Sequence, residues 1–239
     1  FRKESNYSDK RRPDTVSYTS DVIHDIKRRD FTINGLLYDP MTESVIDSCD
    51  GLKDIEDKVL RTIGDPRERL SEDYLRILRG IRFVNHLSLS IDEDTESVMR
   101  LEVKNIKKIS IERIRDEITS ILSGNRPGQG LKLLDSFGIL DEILPELTEM
   151  KGIQQPPDFH PEGDVFVHTC LALDMLSDDK EKGIELIYGT LFHDIGKPDT
   201  YTLTDRIRFN RHEYVGAIKA QRLCKRLKFS KKQTELKCS

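Results

Sequence analysis

Apolar and polar positions alternate along this chain in three different rhythms. From Phe1 to about Gly64 the apolar runs are short and β-like, as in "ESVIDS" (Glu43–Ser48), with turn signals at Asp39-Pro40 and Asp50-Gly51. From Asp65 to Met150 apolar residues recur every three to four positions, which predicts amphipathic helices over 66–87, 92–103, 110–123 and 129–144. Breakers separate them at Gly124–Gly130 and at Pro145. The proline-rich, polar stretch "GIQQPPDFHPEGD" (Gly152–Asp164) reads as a domain boundary, and helical patterns follow at 165–177, 183–195 and 211–229. The pattern predicts a mostly α protein with a small α/β N-terminal part, divided as 1–64, 65–150 and 160–239.

One segment sets apolar and charged residues apart with unusual regularity. In "LSEDYLRILRGIRF" (Leu70–Phe83), a helical wheel gathers Tyr74, Ile77, Leu78 and Ile81, with Val84, on one third of the circumference. Arg76, Arg79 and Arg82 recur every third residue on the opposite side, and Asp73 lies at the edge, one turn before Arg76. Glu72 or Ser71 is placed to cap the N-terminus, where negative charge is favoured. Taken alone, this spacing describes an exposed helix with an Asp73–Arg76 ion pair contributing a few tenths of a kcal/mol.

The same pair also has recognition chemistry. An ionised aspartate only accepts hydrogen bonds and a guanidinium only donates them. Side by side they match the Watson–Crick edge of cytosine, an amino donor beside the N3 acceptor, and that of adenine, an amino donor beside N1. Uracil and guanine present a carbonyl and a ring N–H at these places, and each buried mismatch costs about 1–3 kcal/mol. Arg79 and Arg82 are placed to meet phosphates.

Charge and cysteine usage narrow the class. The chain has 239 residues, 36% hydrophobic and 34% charged, with a net charge of −4. No apolar run approaches a membrane span and no signal peptide is apparent. The net charge argues against a protein that coats nucleic acid by charge alone. However, "KAQRLCKRLKFSKK" (Lys219–Lys232) carries seven basic residues and no acid, which suits either a phosphate-binding face or a solvated helix face. Cys49, Cys170, Cys224 and Cys238 form no CxxC pair, as expected of reduced thiols in a cytoplasmic protein. The chain opens on Phe1 inside a strand-like stretch, so a missing N-terminal segment is expected.

"EDYLR" (Glu72–Arg76) resembles the E-D-x-x-R motif of the class II nucleotidyltransferases, the tRNA CCA-adding enzymes and bacterial poly(A) polymerases. "KRRDFTING" (Lys27–Gly35) resembles their R-R-D-F-T-x-N-A motif, and "FRKESNYSDKRRPDTV" resembles the mobile stretch before it. "DGLKDIEDKVLRTIGDPRERLSED" and "ISIERIRDEITSIL" follow in family order. The resemblance implies the end of a nucleotidyltransferase head, a helical neck and the start of a further domain, truncated at both ends. It implies nucleotide binding at Arg29, Asp73, Arg76, Arg79 and Arg82, with Arg28, Asp30, Asn34 and Glu72 as supporting motif members. CTP, ATP and a tRNA or other RNA 3′ end are the implied partners.

The resemblance further implies transfer with Mg²⁺ held by an Asp-x-Asp pair on a strand after a Gly-rich turn. No such pair on a hydrophobic strand occurs in this sequence. Asp92 and Asp94 open a helix and read as capping residues. The expectation is that this polypeptide alone does not catalyse transfer.

A second constellation lies in "VFVHTCLALDM" (Val165–Met175) and "YGTLFHDIGKP" (Tyr188–Pro198). His193-Asp194 at the end of an apolar helix, with His168 on the helix before it, resembles the HD metal-dependent phosphohydrolases. Imidazole and carboxylate ligands suit a divalent transition metal that polarises a phosphoryl oxygen. His212 is a candidate outer ligand and His160 a weaker one, while the distant aspartate that closes the HD pattern is not found, so the domain is expected to be incomplete. Two rival readings follow: an HD phosphohydrolase acting on nucleotide or RNA phosphates, and a non-catalytic RNA-binding module.

Overall fold

The computed structural model describes residues 22–158, 160–177, 179 and 183–231, with the backbone of 2–5 and 15–18. The side chains of Phe1–Val16, Lys232 and Cys238, invoked above, lie outside the described residues. The chain divides into two compact units, Phe1–Ile106 and Lys107–Ser239.

In the first unit, β1 (Arg2–Ser5) and β2 (Thr15–Tyr18) pair antiparallel, followed by helix α1 (Val22–Lys27) and a 3-10 turn at Thr32–Asn34. The hairpin β3 (Leu37–Asp39) and β4 (Ser44–Ile46) sets Tyr38 opposite Val45. Helix α2 (Gly51–Glu56) leads to β5 (Val59–Leu60), which pairs in parallel with β6 (Ser90–Ile91). Between those strands lie α3 (Pro66–Glu72) and α4 (Leu75–Leu87), and α5 (Glu93–Glu102) follows.

The helix read over 66–87 is in fact two. Asp65 accepts from Glu68 N at 2.9 Å and Pro66 supplies a preset first turn, so α3 starts as its residues dictate. At Asp73 the backbone turns extended (φ −153°, ψ 103°), and the Asp73 carboxylate accepts from Leu75 N at 3.1 Å. A short acceptor that bonds its own backbone two residues on competes with the helix, and here it divides it. Ser71 and Glu72 therefore do not cap the arginine helix: they lie at the end of α3.

The wheel over α4 is otherwise observed. Tyr74, Ile77, Leu78, Ile81 and Val84 are all buried, as are Phe31, Leu60, Leu70 and Met99. Gly80 makes the approach possible, since a Cβ there would stand 3.1 Å from Met99 Cε and 3.2 Å from Phe31 Cζ. Phe31 also meets Phe83 edge-on at 5.8 Å. Close packing of α4 on Phe31 thus holds the segment beginning at Arg28 beside the arginine helix.

The second unit is built of helices α6 (Ile111–Leu122), α7 (Pro127–Ser136), α8 (Ile139–Ile143), α9 (Pro145–Thr148), α10 (Val165–Asp174) and α11 (Ile184–Phe192). The short α12 (Lys197–Thr200) leads into the hairpin β7 (Tyr201–Leu203) and β8 (Ile207–Phe209), then α13 (His212–Arg226). The predicted helix over 129–144 is divided at Phe137-Gly138, between α7 and α8. Ile118, Leu134, Leu173, Tyr188, Leu191 and Leu223 form a closed apolar core.

Candidate functional site

A cleft of about 530 Å³ opens in the first unit, lined by Arg28, Arg29, Asp30, Asn34, Asp73, Arg76, Arg79 and Phe83. It joins residues of the two motifs that lie about 40 or more positions apart in sequence. Arg82 is not part of the lining; its guanidinium stands 5.0 Å from the centre of the Phe83 ring, with Arg79 5.8 Å from the same ring.

The guanidinium groups of the cleft are tied to carboxylates. Arg79 bonds Asp30 through Nε at 2.7 Å and Nη2 at 2.6 Å. The other Asp30 oxygen accepts from Phe31 N and from Asn34 Nδ2, each at 2.9 Å. Burial raises the Asp30 carboxyl, but the Asn34 amide and the charge and hydrogen bonds of Arg79 outweigh it and hold it below the ordinary carboxylate value. Arg28 and Arg29 both bond the buried Asp25, and Arg29 Nη1 also donates to Asn34 O at 2.8 Å.

Arg76 is the most enclosed of these arginines, with its side chain 13% exposed. Its Nη1 donates to Glu72 Oε2 and to Arg69 O, each at 2.5 Å, and its Nη2 donates to Arg28 O at 2.9 Å. Arg69 shares the Glu72 carboxylate at 2.7 Å. Arg76 is thus held in place by three acceptors on two segments, α3 and the one beginning at Arg28, while the main-chain break at Asp73 sets that carboxylate at the same cleft.

Asp92 and Asp94 do not fit a two-metal site. Asp92 caps α5, accepting from Thr95 N at 3.2 Å and Thr95 Oγ1 at 3.1 Å, and pairs with Arg61.

In the second unit, His168 on α10 and His193-Asp194 at the end of α11 converge with His212, the first residue of α13. The nearest imidazole nitrogens, all Nε2, stand 3.8, 3.1 and 3.8 Å from the Asp194 oxygens for His168, His193 and His212 respectively. The opposite nitrogens are all occupied. His168 Nδ1 meets Glu162 Oε1 at 2.5 Å, His193 Nδ1 meets Thr190 O at 2.7 Å, and His212 Nδ1 meets Phe209 O at 2.9 Å. Carbonyl and carboxylate oxygens only accept, so each Nδ1 carries a proton and each ring turns its Nε2 toward Asp194; that of His193, at 3.1 Å, donates to the carboxylate, and binding a metal there would release that proton. Such outer acceptors orient metal-ligating histidines, and the ligand atoms of His168, His193 and Asp194 lie within 4.8 Å of one another, a set that suits a borderline divalent metal.

Gly196 brings His212 into this cluster, because a Cβ there would lie 2.1 Å from His212 O and 2.5 Å from Gly216 N. The buried Lys197 donates to Asp194 Oδ2 at 2.8 Å and to Gln155 Oε1 at 2.5 Å. Burial raises the Asp194 carboxyl, but His193 and Lys197 outweigh it and hold it far below the usual range. His193 is raised in turn: burial opposes its charge, and the hydrogen bond and charge of Asp194 prevail. His160 packs edge-on against His168 at 4.8 Å and shares Glu162 with it at 3.1 Å.

Comparison with known proteins places the chain in a family. A family profile described as the poly A polymerase head domain matches residues 1–61, and one described as the probable RNA and SrmB-binding site of polymerase A matches 88–151. The CCA-adding enzyme of Levilactobacillus brevis is 43% identical over 153 residues, 63% of this chain and 38% of the relative. That of Limosilactobacillus reuteri is 36% identical over 189 residues, 77% of this chain and 46% of the relative. The chain belongs to the family of CCA-adding enzymes and bacterial poly(A) polymerases.

The family's solved structures share the fold. The Bacillus stearothermophilus CCA-adding enzyme in complex with CTP aligns with a TM-score of 0.57 at 21% identity, covering 92% of this chain and 46% of that one. A tRNA nucleotidyltransferase complexed with a primer tRNA and an incoming ATP analog aligns with a TM-score of 0.51 at 26% identity, covering 72% and 54%. The chain spans from 38% to 46% of the length of the curated CCA-adding enzymes named above. The histidine cluster lies beyond the residues that the two profiles match.

Sequence reasoning missed Asp25, Phe83, Glu162 and Gln155. Asp25 carried a legible signal, since it stands three and four residues before Arg28 and Arg29, the spacing of paired helix side chains. Glu162, in an irregular loop six residues before His168, carried none. Three of the basic residues from Lys219 onward are engaged with acids of the same unit: Lys219 with Asp199 at 2.5 Å, Arg226 with Glu146 at 2.7 Å and Lys228 with Glu112 at 2.7 Å.

Proposed function

We propose that this chain is the nucleotide-selecting part of a tRNA nucleotidyltransferase that adds CCA to tRNA 3′ ends from CTP and ATP. The observation that carries this reading is the single cleft lined by Arg28, Arg29, Asp30 and Asn34 from one motif and Asp73, Arg76 and Arg79 from the other. In this reading Asp73 accepts from the base amino group and Arg76 donates to the adjacent ring nitrogen. Arg29 and Arg79 meet the triphosphate, with Arg82 behind them on Phe83. Residues 1–64 belong to the head, 65–150 to the neck and 160–239 to an HD domain. The whole enzyme works in the cytoplasm; among the described residues no helix is long and apolar enough to cross a membrane, and Cys49, Cys170 and Cys224 form no disulfide.

Enzymes of this family generally use divalent metal ions, and we assign Mg²⁺ to the transfer step, where it supplies charge neutralisation at the departing pyrophosphate. The deciding experiment is binding of all four nucleoside triphosphates to the chain. CTP and ATP are expected to bind more tightly than UTP and GTP by about tenfold or more, the worth of one lost hydrogen bond to a charged group. Equal affinities for the four would overturn the template reading.

A second reading concerns the other unit. The convergence of the His168 and His193 Nε2 atoms on Asp194 Oδ2 supports a divalent transition metal held by His168, His193 and Asp194, with His212 as an outer ligand, and with it hydrolysis of nucleotide or RNA phosphates. When bound, the metal supplies Lewis acidity toward a phosphoryl oxygen. Phosphatase activity that survives Asp73→Ala and is lost in His193→Ala is the expected result; activity unchanged in His193→Ala would remove the reading.

A further inference from the structure

Behind the two arginines that open the R-R-D motif lies one carboxylate. Asp25 Oδ1 receives Arg28 Nε at 3.0 Å and Nη2 at 2.5 Å, and Asp25 Oδ2 receives Arg29 Nε at 3.2 Å and Nη2 at 2.8 Å. Asp25 is 5% exposed and is not among the residues that line the cleft, whereas the Arg28 and Arg29 side chains are about one third exposed and do line it. Each oxygen of a single buried group therefore takes one edge of one guanidinium, while both arginines line the cleft.

Two adjacent guanidinium groups repel one another, and each arginine side chain is rich in rotamers. Without an anchor both would have to be ordered when an anion arrives, and that ordering weakens binding. A shared carboxylate removes the repulsion and fixes both forks beforehand. It also leaves a formal surplus of one positive charge at the pair, so attraction for a polyanion remains. The contact of Arg29 Nη1 with Asn34 O completes the orientation from the far side.

We propose that Asp25 is a positioning residue that presets Arg28 and Arg29 for the phosphate chain of a nucleoside triphosphate. This rests on the reading of the cleft as a nucleotide site. Asp25 touches no nucleotide itself, and its effect is on phosphate binding rather than on the choice of base.

The test is calorimetric titration of the chain and its Asp25→Asn, Asp25→Glu and Arg29→Ala variants with CTP, ATP and inorganic tripolyphosphate, with a thermal melt of each protein. Asp25→Asn is expected to bind all three about tenfold more weakly, by a common factor. Asp25→Glu, which keeps the charge but displaces it by a methylene, is expected to fall between Asp25→Asn and the wild type. A lowered melting temperature with wild-type affinity for all three ligands would make Asp25 a purely structural staple and overturn the proposal. So would a loss confined to the nucleotides and absent for tripolyphosphate. If Asp25→Asn does not fold, Asp25→Glu decides: wild-type tripolyphosphate affinity overturns the proposal and weakened affinity supports it. Weakened binding in Arg29→Ala with none in the Asp25 variants rejects the clamp alone, whereas unchanged binding in Arg29→Ala rejects the reading of the cleft and the clamp with it.

Discussion

The Arg76 guanidinium donates to the main-chain oxygen of Arg28 at 2.9 Å, across 48 residues of sequence. This one hydrogen bond joins the segment that carries Asp73 to the segment that carries Arg28 and Arg29. Base recognition and phosphate recognition in the proposed site are therefore mechanically linked.

Replacing Arg76 tests that link. Arg76→Ala removes the donor for Arg28 O, Arg69 O and Glu72 together. The protein is expected to lose about 1–3 kcal/mol of stability from the buried acceptors left behind. Discrimination of CTP and ATP against UTP and GTP should fall by about tenfold or more in binding titrations, because one arm of the template is gone. Arg76→Lys should recover little, since an ammonium cannot span three acceptors with the planar guanidinium geometry.

The Asp30–Arg79 pair predicts an acid-sensitive term in stability. The folded-state value of Asp30 is depressed below its ordinary value, burial being outweighed by Asn34 and Arg79. A depressed carboxylate stabilises the fold fully above its unfolded value of about 3.9 and loses that contribution as pH falls through the lower folded value. Asp30→Asn should therefore be destabilised at pH 7, by about 1–3 kcal/mol. Its deficit relative to the wild type should shrink as pH is lowered below about 4. Denaturant midpoints measured across pH check this.

At the histidine cluster, the outer acceptors predict a graded loss of metal. His193→Ala or His168→Ala should abolish binding of added Zn²⁺ or Mn²⁺. Glu162→Gln, which no longer places a carboxylate on His168 Nδ1, should weaken binding by about 10–100-fold. Titration with metal and elemental analysis after dialysis distinguish these outcomes; full affinity in Glu162→Gln would show that the Glu162 contact does not orient the ring.

Gly196 should tolerate no side chain. The atoms a Cβ would meet are backbone, His212 O at 2.1 Å and Gly216 N at 2.5 Å, so no rotamer change relieves the contact. Gly196→Ala is expected to cost about 3 kcal/mol or more in denaturant unfolding, at or above the upper end of ordinary overpacking. It should also displace His212 from Asp194.

Much of the local structure was legible in the chain. Period-3.6 patterning placed α5, α6, α10, α11 and α13 within a few residues, and the face of α4 that it marked as apolar is the buried one. The capping reading of Asp92 also holds in the structure. The motif spacing "EDYLR" and "RRD" pointed to residues that share one cleft. Periodicity was blind to the break at Asp73, because that break arises from a side chain bonding its own backbone rather than from any loss of the apolar pattern.

The sequence by itself determined the helical elements, their buried faces and the donor and acceptor types available for a nucleotide. These follow from local periodicity and from the chemistry of each side chain, which no fold alters. Only the tertiary structure decided which acceptor each arginine meets and which nitrogen each histidine turns toward Asp194. Those choices run through main-chain oxygens of Arg28, Arg69, Thr190 and Phe209 and through the buried Asp25. A backbone carbonyl is the same in every residue, so no residue type announces it. Its direction is set by packing, through approaches as close as those at Gly80 and Gly196.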